Sequence, residues 1–534
     1  FFVNNGGPAE QQIFFASSHD GDNWMDLNRK EAVLSVADSV RDEEDIANTR
    51  NQAGVRDPYL IRSPQGDKFY LIATDLCIGA NDIVAGTVDW GVSQFNGSHC
   101  LRIWESDDLV NWSEPWLADV APKDTTCAWA PEAIYNDATG NYVVFWASMT
   151  HTANGSWQKI YCSETRDFRT FTEPELMIDN GNNHIIDTTI IKAEDGNYYR
   201  ASGAGSIRVE KCIDSDNWLA LDTWIEQGNL RDIAGYGPDM EGPEFFRYNE
   251  DDYKEVNGKK VPTYGLLGDS FSGEGYVPFY TTDIANAKWM KTESNDFNFD
   301  SLHKRHGTIL PLTAEEYNNV MEVYGPKSIS VKNAPSKKTY MIGEEELDAS
   351  GLVLTVTYPN GKTEEVAYPG SAAKNARQYT FDGVDFTKAG RKTITVTYGG
   401  QKAAFDVTVS GEVVVDPTDK KVLAQFDFDD ETDGFTSENA KAAGSHTLTD
   451  SWNTKNGKAL YLDGNSSNFL TVTDKNGGSL LTGSKELTIS FEVKNDRTGT
   501  NWPFYAAPND NKQDYEKSEH YIGFLMKDGS LTVE

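Results

Sequence analysis

Residues Ser17-Ser18-His19-Asp20-Gly21-Asp22-Asn23-Trp24 end a strand with a polar turn and place a tryptophan at a fixed offset. The pattern returns four times. Ser106-Asp107-Asp108-Leu109-Val110-Asn111-Trp112 follows LRIWE, and Ser163-Glu164-Thr165-Arg166-Asp167-Phe168 follows KIYC with Phe168 in the tryptophan place. Asp214-Ser215-Asp216-Asn217-Trp218 follows RVEKCI, and Thr282-Asp283-Ile284-Ala285-Asn286-Ala287-Lys288-Trp289 follows VPFYT. One strand–turn–aromatic unit repeated at roughly 50–90 residues is the mark of a repeat architecture. The Asp and Ser side chains read as turn caps. The turn resembles the Asp box of sialidases, but its Gly and Trp come one residue early and no sialidase arginine cluster can be picked out.

Ahead of four copies lies a second unit, an alternating hairpin. The four are PYLIRSPQGDKFYLIATD, PEAIYNDATGNYVVFWAS, DTTIIKAEDGNYYRASG and PEFFRYNEDDYKEVNGKKVPTYGLLGD. Gly-containing turns join β-rich arms in three of them. Each whole unit supplies about four strands, the size of a propeller blade. The fold class expected is all-β: a five-bladed β-propeller over residues 1–325 with two C-terminal β-sandwich modules. The first copy lacks an inner strand, and His306–Leu312 is expected to fill that gap.

The bulk composition sets limits. The chain has 534 residues, too many for one core. Lys plus Arg is 48 against 83 for Asp plus Glu, a formal charge of −35. Such a surface repels nucleic acid and anionic lipid, so neither is expected as a partner. No leader and no apolar run long enough to span a bilayer is visible, and the chain reads as a trimmed, secreted or cell-surface protein. The five cysteines, all in the first half, include no CxxC pair. A zinc site is therefore not expected.

Inner propeller strands converge on one end of the axis, so acids at their starts would share a funnel. Three starts carry one: Val55-Arg56-Asp57-Pro58, Ile185-Ile186-Asp187-Thr188 and Met240-Glu241-Gly242-Pro243. The second blade gives Trp129-Ala130-Pro131-Glu132. Carboxylates gathered in one cavity repel each other, which raises at least one pKa and permits an acid and a base at one pH. Glycoside hydrolysis needs that division.

RDPYLI, WAPEAIYND, IDTTIIKAEDGNYY and MEGPEFF, in this order, resemble glycoside hydrolase family 43 over residues 1–325. The resemblance implies a five-bladed propeller and an inverting mechanism. It makes Asp57 the general base, Glu241 the general acid and Asp187 the carboxylate that orients the acid and raises its pKa. Thr188 stands where the family usually has Pro. Glu132 is expected to hold a neighbouring strand, and Trp129 to stack on a sugar or pack the core. His306 matches a position where the family places an axial His that can contact calcium; otherwise it is a buried His satisfied by the backbone. No cofactor is required for the chemistry.

Residues 326–411, with LVLTVTYPNGKTEEVAY and KTITVTYGGQKAAFDVTV, resemble a bacterial immunoglobulin-like spacer. Residues 420–534 resemble a truncated laminin-G or concanavalin-like sandwich, of a kind that can bind glycans. The expected activity is release of terminal α-L-arabinofuranosyl residues from plant cell-wall polysaccharide by a monomer. β-D-xylosidase, endo-arabinanase and exo-galactosidase are the rivals within the family, and a non-catalytic glycan-binding propeller is the rival outside it. The insertion at 76–100 is expected to crowd the funnel mouth and favour an exo pocket.

Overall fold

The computed structural model describes residues 1–5, 7–36, 54–78, 90–203 and 205–410, and shorter stretches between 423 and 533. The insertion at 76–100 falls largely outside the described residues. Residues Phe1–Glu412 form one compact unit and Val413–Glu534 a second.

Up to residue 291 the first unit is built from antiparallel sheets that follow one another in chain order. β1 (Ala16–Ser18) and β2 (Trp24–Asp26) form a hairpin. β3 (Arg56–Arg62), β4 (Phe69–Thr74), β5 (Cys100–Ser106) and β6 (Trp116–Asp119) form the first four-stranded sheet. β7 (Trp129–Asn136), β8 (Asn141–Thr152), β9 (Gly155–Thr165) and β10 (Glu175–Ile178) form the second. β11 (Ile186–Lys192), β12 (Tyr198–Gly203), β13 (Ile207–Cys212) and β14 (Trp224–Asn229) form the third. In the fourth, β15 (Glu241–Arg247) is followed by a small hairpin, β16 (Glu255–Val256) and β17 (Lys259–Lys260). It then pairs with β18 (Tyr264–Ser270), followed by β19 (Gly275–Thr281) and β20 (Met290–Lys291).

Among the described residues of 1–325, strand pairing thus gives four four-stranded sheets, the β1–β2 hairpin and the small β16–β17 hairpin. His306–Leu312 adds no strand. Its donors go to side chains: Gly307 N–H donates to Tyr276 Oη at 2.6 Å, and Thr308 Oγ1 and Ile309 N–H donate to Glu244 Oε1 at 3.0 and 2.9 Å.

The repeated turns sit between the last two strands of each sheet, and in the hairpin between β1 and β2. Asp20 Oδ1 accepts from the N–H groups of Asp22 and Asn23 (2.9 and 2.7 Å), and Trp24 Nε1 donates to Gly21 O. Asp108 repeats this with Val110 and Asn111, and Trp112 Nε1 donates to Leu109 O. In the third copy Asp167 caps Arg169 and Thr170. The aromatic in the tryptophan place there is Phe171, which bridges Thr165 as Trp112 bridges Ser106. Phe168 is the counterpart of Leu109 instead. Both take a positive φ (56° and 66°), where the first copy uses Gly21 (80°). That conformation costs about 1–2 kcal/mol for a residue with a side chain. Complete burial of Phe168 against Tyr70 of the neighbouring sheet, ring centroids 4.3 Å apart, offsets it.

Consecutive sheets pack face to face. Tyr70, Ile72, Leu101 and Ile103 of the first meet Ala133, Tyr142, Val144 and Trp146 of the second. Ala201 and Val209 of the third meet Phe245 and Leu266 of the fourth. Both faces are covered, so β4 and β8 read as continuous apolar runs, FYLIAT and YVVFWA, and not as alternating ones.

After α1 (Ala314–Tyr324), started by a Thr313–Glu316 capping box, comes a sandwich. One sheet holds β21 (Ser328–Asn333), β23 (Val353–Thr357) and β24 (Thr363–Ala367). The other holds β22 (Thr339–Met341), β25 (Tyr379–Asp382), β26 (Gly390–Tyr398) and β27 (Gln401–Ser410). Its core is Tyr340, Leu352, Leu354, Val356, Ile394, Val396, Phe405 and Val407, and Met25 of β2 packs against that core. Gln378 Nε2 donates to Trp24 O at 3.2 Å, and Lys30–Glu364 and Lys362–Glu31 pair at 3.6 and 3.5 Å. The sandwich is thus docked on the β1–β2 hairpin and is not a detached spacer.

In the second unit short sheets join 436–437, 440–444 and 470–474; 447–450 and 458–461; and 500–506, 522–527 and 530–533. Among the described residues no helix is long and apolar enough to cross a membrane.

Candidate active site

β3, β7, β11 and β15 begin with the same irregularity. Their pairing slips between Arg56 and Tyr59, Trp129 and Glu132, Ile186 and Thr188, and Glu241 and Glu244. The second residue of each strand is left-handed: Asp57 (φ 47°), Ala130 (46°), Asp187 (51°) and Gly242 (52°). A bulge of this kind bends the strand and re-aims a side chain. RDP, WAP, IDT and EGP are therefore four copies of one structural slot. Asp tolerates this conformation better than most residues. Gly242 is required for a second reason: a Cβ there would lie 2.5 Å from the His306 ring.

His306 is the hub that joins the slots. Its Nδ1 faces Asp57 Oδ1 at 3.0 Å, and its Nε2 faces Glu241 Oε1 and Asp269 Oδ2, each at 3.2 Å. Burial disfavours its charge, but Asp57, Asp187 and Asp269 overcome this and hold the imidazole protonated well above its ordinary value. Burial would likewise raise Asp57. The pairing with His306, aided by Arg56 and by the Thr74 Oγ1 hydrogen bond at 2.7 Å, instead holds it well below the usual carboxylate range. Thr74 Oγ1 in turn accepts from Ala130 N–H at 2.7 Å, which ties Asp57 to the second sheet.

Asp187 behaves oppositely. Burial, with the charges of Glu241 and Asp57 adding, pushes its carboxyl up to about 7 against the pull of His306 and the Gly242 N–H. Glu241 is the most open of the three, its side chain 24% exposed against 10% for Asp57 and 7% for Asp187. Arg305 Nη2 donates to Glu241 Oε1 at 2.7 Å, and Arg305 Nε donates to Asp269 Oδ2 at 2.8 Å.

All three acids expected from the sequence thus surround one imidazole. Arg305 and Asp269 were not legible as site residues. The signal available was the hairpin register, since Asp269 pairs with Glu241 as Thr74 pairs with Arg56. Deeper on the axis, the fourth residue of each inner strand (Tyr59, Glu132, Thr189 and Glu244) forms a second tier. Burial holds Glu132 well above its ordinary range and Glu244 up to about 8, so this tier is kept protonated. Glu132 also bonds Thr189 of the neighbouring sheet, the bridging role expected of it. A cavity of about 20 Å³ between the tiers has room for about one water. Trp129 is half-buried, edge-on to Trp90 at 6.1 Å.

Asp187, Glu241 and His306 each offer a ligand atom within 4.8 Å of the others. Calcium prefers six to eight oxygens, and a ligating imidazole must be neutral. Here both ring nitrogens face carboxylates, so the imidazolium already supplies the positive charge a metal would bring.

The family model described as "Probable glycosyl hydrolase domain", related to glycoside hydrolase family 43, matches residues 1–318, more than half of the chain. The chain belongs to this family. A second model, "Bacterial Ig-like domain (group 3)", matches residues 334–409, within the sandwich docked on the hairpin. Over 324 residues the chain is 29% identical to an alpha-L-arabinofuranosidase of Bifidobacterium longum subsp. longum, covering 53% of this chain and 29% of that protein. The chain therefore spans less than a third of that relative's length. Among solved structures it resembles a thermostable family-43 glycoside hydrolase (17% identity, 67% of this chain, 95% of that chain, TM-score 0.31). It also resembles the endo-arabinase of Bacteroides thetaiotaomicron (14% identity, 62% of this chain, 94% of that chain, TM-score 0.32).

Proposed function

We propose that this chain is an exo-acting, inverting glycosidase that releases terminal α-L-arabinofuranosyl residues from plant cell-wall polysaccharides or oligosaccharides. One observation carries the reading: Asp57 and Asp187 occupy equivalent strand-start slots, Glu241 stands one residue before the matching slot at Gly242, and all three surround His306, with Asp57 held low and Asp187 raised. Asp57, held anionic, accepts the proton of the attacking water. Asp187, raised to about 7 by burial and by the charges of Glu241 and Asp57, carries a proton beside Glu241 near neutrality. Glu241, the more open, delivers that proton to the leaving oxygen, and Asp187 keeps it available. Arg305 fixes the Glu241 rotamer through its hydrogen bond. The arabinofuranosidase similarity supports the choice of sugar; β-D-xyloside is the second candidate because the two sugars share much ring stereochemistry.

The supporting architecture is a five-bladed propeller in which the β1–β2 hairpin belongs to the fifth blade. A laminin-G-like module in the C-terminal unit would add glycan binding. The protein is read as secreted or surface-attached, monomeric, and in need of no cofactor for the chemistry, with calcium at His306 as a structural option. A panel of aryl arabinofuranoside, xyloside and galactopyranoside tests the sugar. Proton NMR of the first-formed product tests the stereochemistry: the expected product is inverted arabinose, and retention would overturn the mechanism.

A further inference from the structure

A groove of about 370 Å³, in the size range of ligand pockets, lies between the propeller segment 297–304 and the first turn of the Ig-like domain's 374–378 helix. Glu274, Phe297, Asn298, His303, Lys374 and Asn375 are among its walls. Three observations point to a ligand.

The first is position. Asp269 at the end of β18 pairs with Glu241 at the start of β15, so the β18–β19 turn that carries Glu274 stands at the acid-bearing end of the blade. His303 and Lys304 lead directly into Arg305 and His306, and Tyr276 borders both the groove and the axial cavity. The groove is therefore on the Glu241 side of the site, where the leaving group of the scissile bond must lie.

The second is an orphaned donor. Asn298 is 2% exposed, and its Oδ1 accepts from Asp300 N–H at 3.0 Å, which fixes the amide orientation. Its Nδ2 is buried with no hydrogen-bond partner among the described residues. A buried amide nitrogen left unpaired has lost its water without gaining a partner, and a bound hydroxyl would supply one.

The third is chemistry. The walls mix donors and acceptors, with acid and base both represented, and Lys374 lies over the Phe297 ring at 4.0 Å. This suits a neutral, hydroxyl-rich ligand, whose groups donate and accept at once, better than an anion or an apolar ligand.

We infer that the groove is a glycan subsite for the leaving-group side of the saccharide, built jointly by propeller and Ig-like domain. The inference rests on the glycosidase reading above. It gives the Ig-like domain a part in substrate binding.

The test uses the full chain carrying Glu241→Gln, titrated calorimetrically with short arabinan and arabinoxylan oligosaccharides. Asn375→Trp on that background should weaken oligosaccharide binding about tenfold, and Lys374→Ala a few-fold. In the active enzyme the same substitutions should lower kcat/KM on oligosaccharides relative to an aryl glycoside by similar factors. Lys374→Ala removes only a half-buried side chain, so it carries the test if Asn375→Trp fails to fold. Unchanged oligosaccharide affinity in both variants, with unchanged melting, overturns the inference and leaves a wet crevice between domains. Oligosaccharide binding without turnover of any aryl glycoside would overturn the glycosidase reading and spare the groove. Absence of binding to the Glu241→Gln chain would overturn the groove even if aryl glycosides are cleaved.

Discussion

Arg305 holds Glu241 with one nitrogen and Asp269 with another, at 2.7 and 2.8 Å, from a guanidinium that is itself buried. A planar fork does this where an ammonium cannot. Arg305→Lys should therefore fold but lose about one to two orders of magnitude in kcat, because Glu241 is no longer held in one geometry. Arg305→Met should be worse for the fold, since it removes one of the two cations, Arg305 and His306, that pair with buried Asp269, a loss of up to about 3–5 kcal/mol. Denaturant melts check this. A stable Arg305→Met enzyme would show that Asp269 finds its partner elsewhere.

Asp57 and Glu241 should respond differently to the leaving group. Glu241 protonates it, so Glu241→Ala should cost orders of magnitude on a natural glycoside and far less on a dinitrophenyl glycoside. Asp57 activates water, so Asp57→Ala should be severe on both, with azide able to restore turnover by replacing the water. Equal leaving-group sensitivity in the two variants would reverse or dissolve the roles.

Asp187 links activity to stability. Folded, it keeps its proton up to about 7, against 3.8 for the free group. The native state thus binds the extra proton between these values, and stability declines as pH rises through them. The contribution is full below about pH 4 and gone above about 7. Asp187→Asn should abolish activity yet flatten this decline, raising the Tm at pH 8 relative to parent by several degrees, an effect on the order of a few kcal/mol. Melts at pH 5 and pH 8 decide it: parallel losses in both proteins would mean that the proton is held elsewhere.

How much of this was legible depended on the range of the interaction. The turns were readable because Asp20, Asp108 and Asp167 act on backbone two and three residues away. Only a residue count was wrong there, Phe168 for Phe171, since both are aromatic and the left-handed position that separates them is invisible without φ. Asp57, Asp187 and Glu241 were readable because the bulge that aims them leaves a local signature, an acid beside Pro, Thr or Gly. Arg305 and Asp269 were not, because they meet Glu241 only after β15 pairs with β18 and the 297–306 segment folds back across the site. The docking of the sandwich hid for the same reason: nothing near Met25 in sequence says that its partner is a core more than 300 residues away.

His306 gives a direct test of the metal option. If calcium sits with Asp187, Glu241 and His306, chelator should lower the Tm of the parent, calcium should restore it, and His306→Ala should abolish the response. If the imidazolium is the resident cation, chelator should do nothing. His306→Ala should then destabilise at neutral pH by leaving Asp57 and Asp269 without their shared partner. The two outcomes exclude each other, and scanning calorimetry with and without chelator reads them.

Truncation separates the two C-terminal modules. A chain ending after about residue 412 keeps every contact described within the first unit, and should melt and turn over aryl glycosides like the parent. A chain ending after residue 325 exposes Met25, cuts the Gln378 bond to Trp24 and removes the Lys30–Glu364 and Lys362–Glu31 pairs. The two surface ion pairs are worth little, about 0–1 kcal/mol each. Met25 is worth about 1.5–3 kcal/mol if fully exposed, while β2 keeps its bonds from Trp24 and Asp26 to Asn298 and Asp300. The shorter chain should therefore lose several degrees in Tm and aggregate on warming, while its kcat on aryl glycosides at low temperature stays within a few-fold. Identical melting of the two truncations would mean that the Ig-like domain only leans on the hairpin and does not brace it.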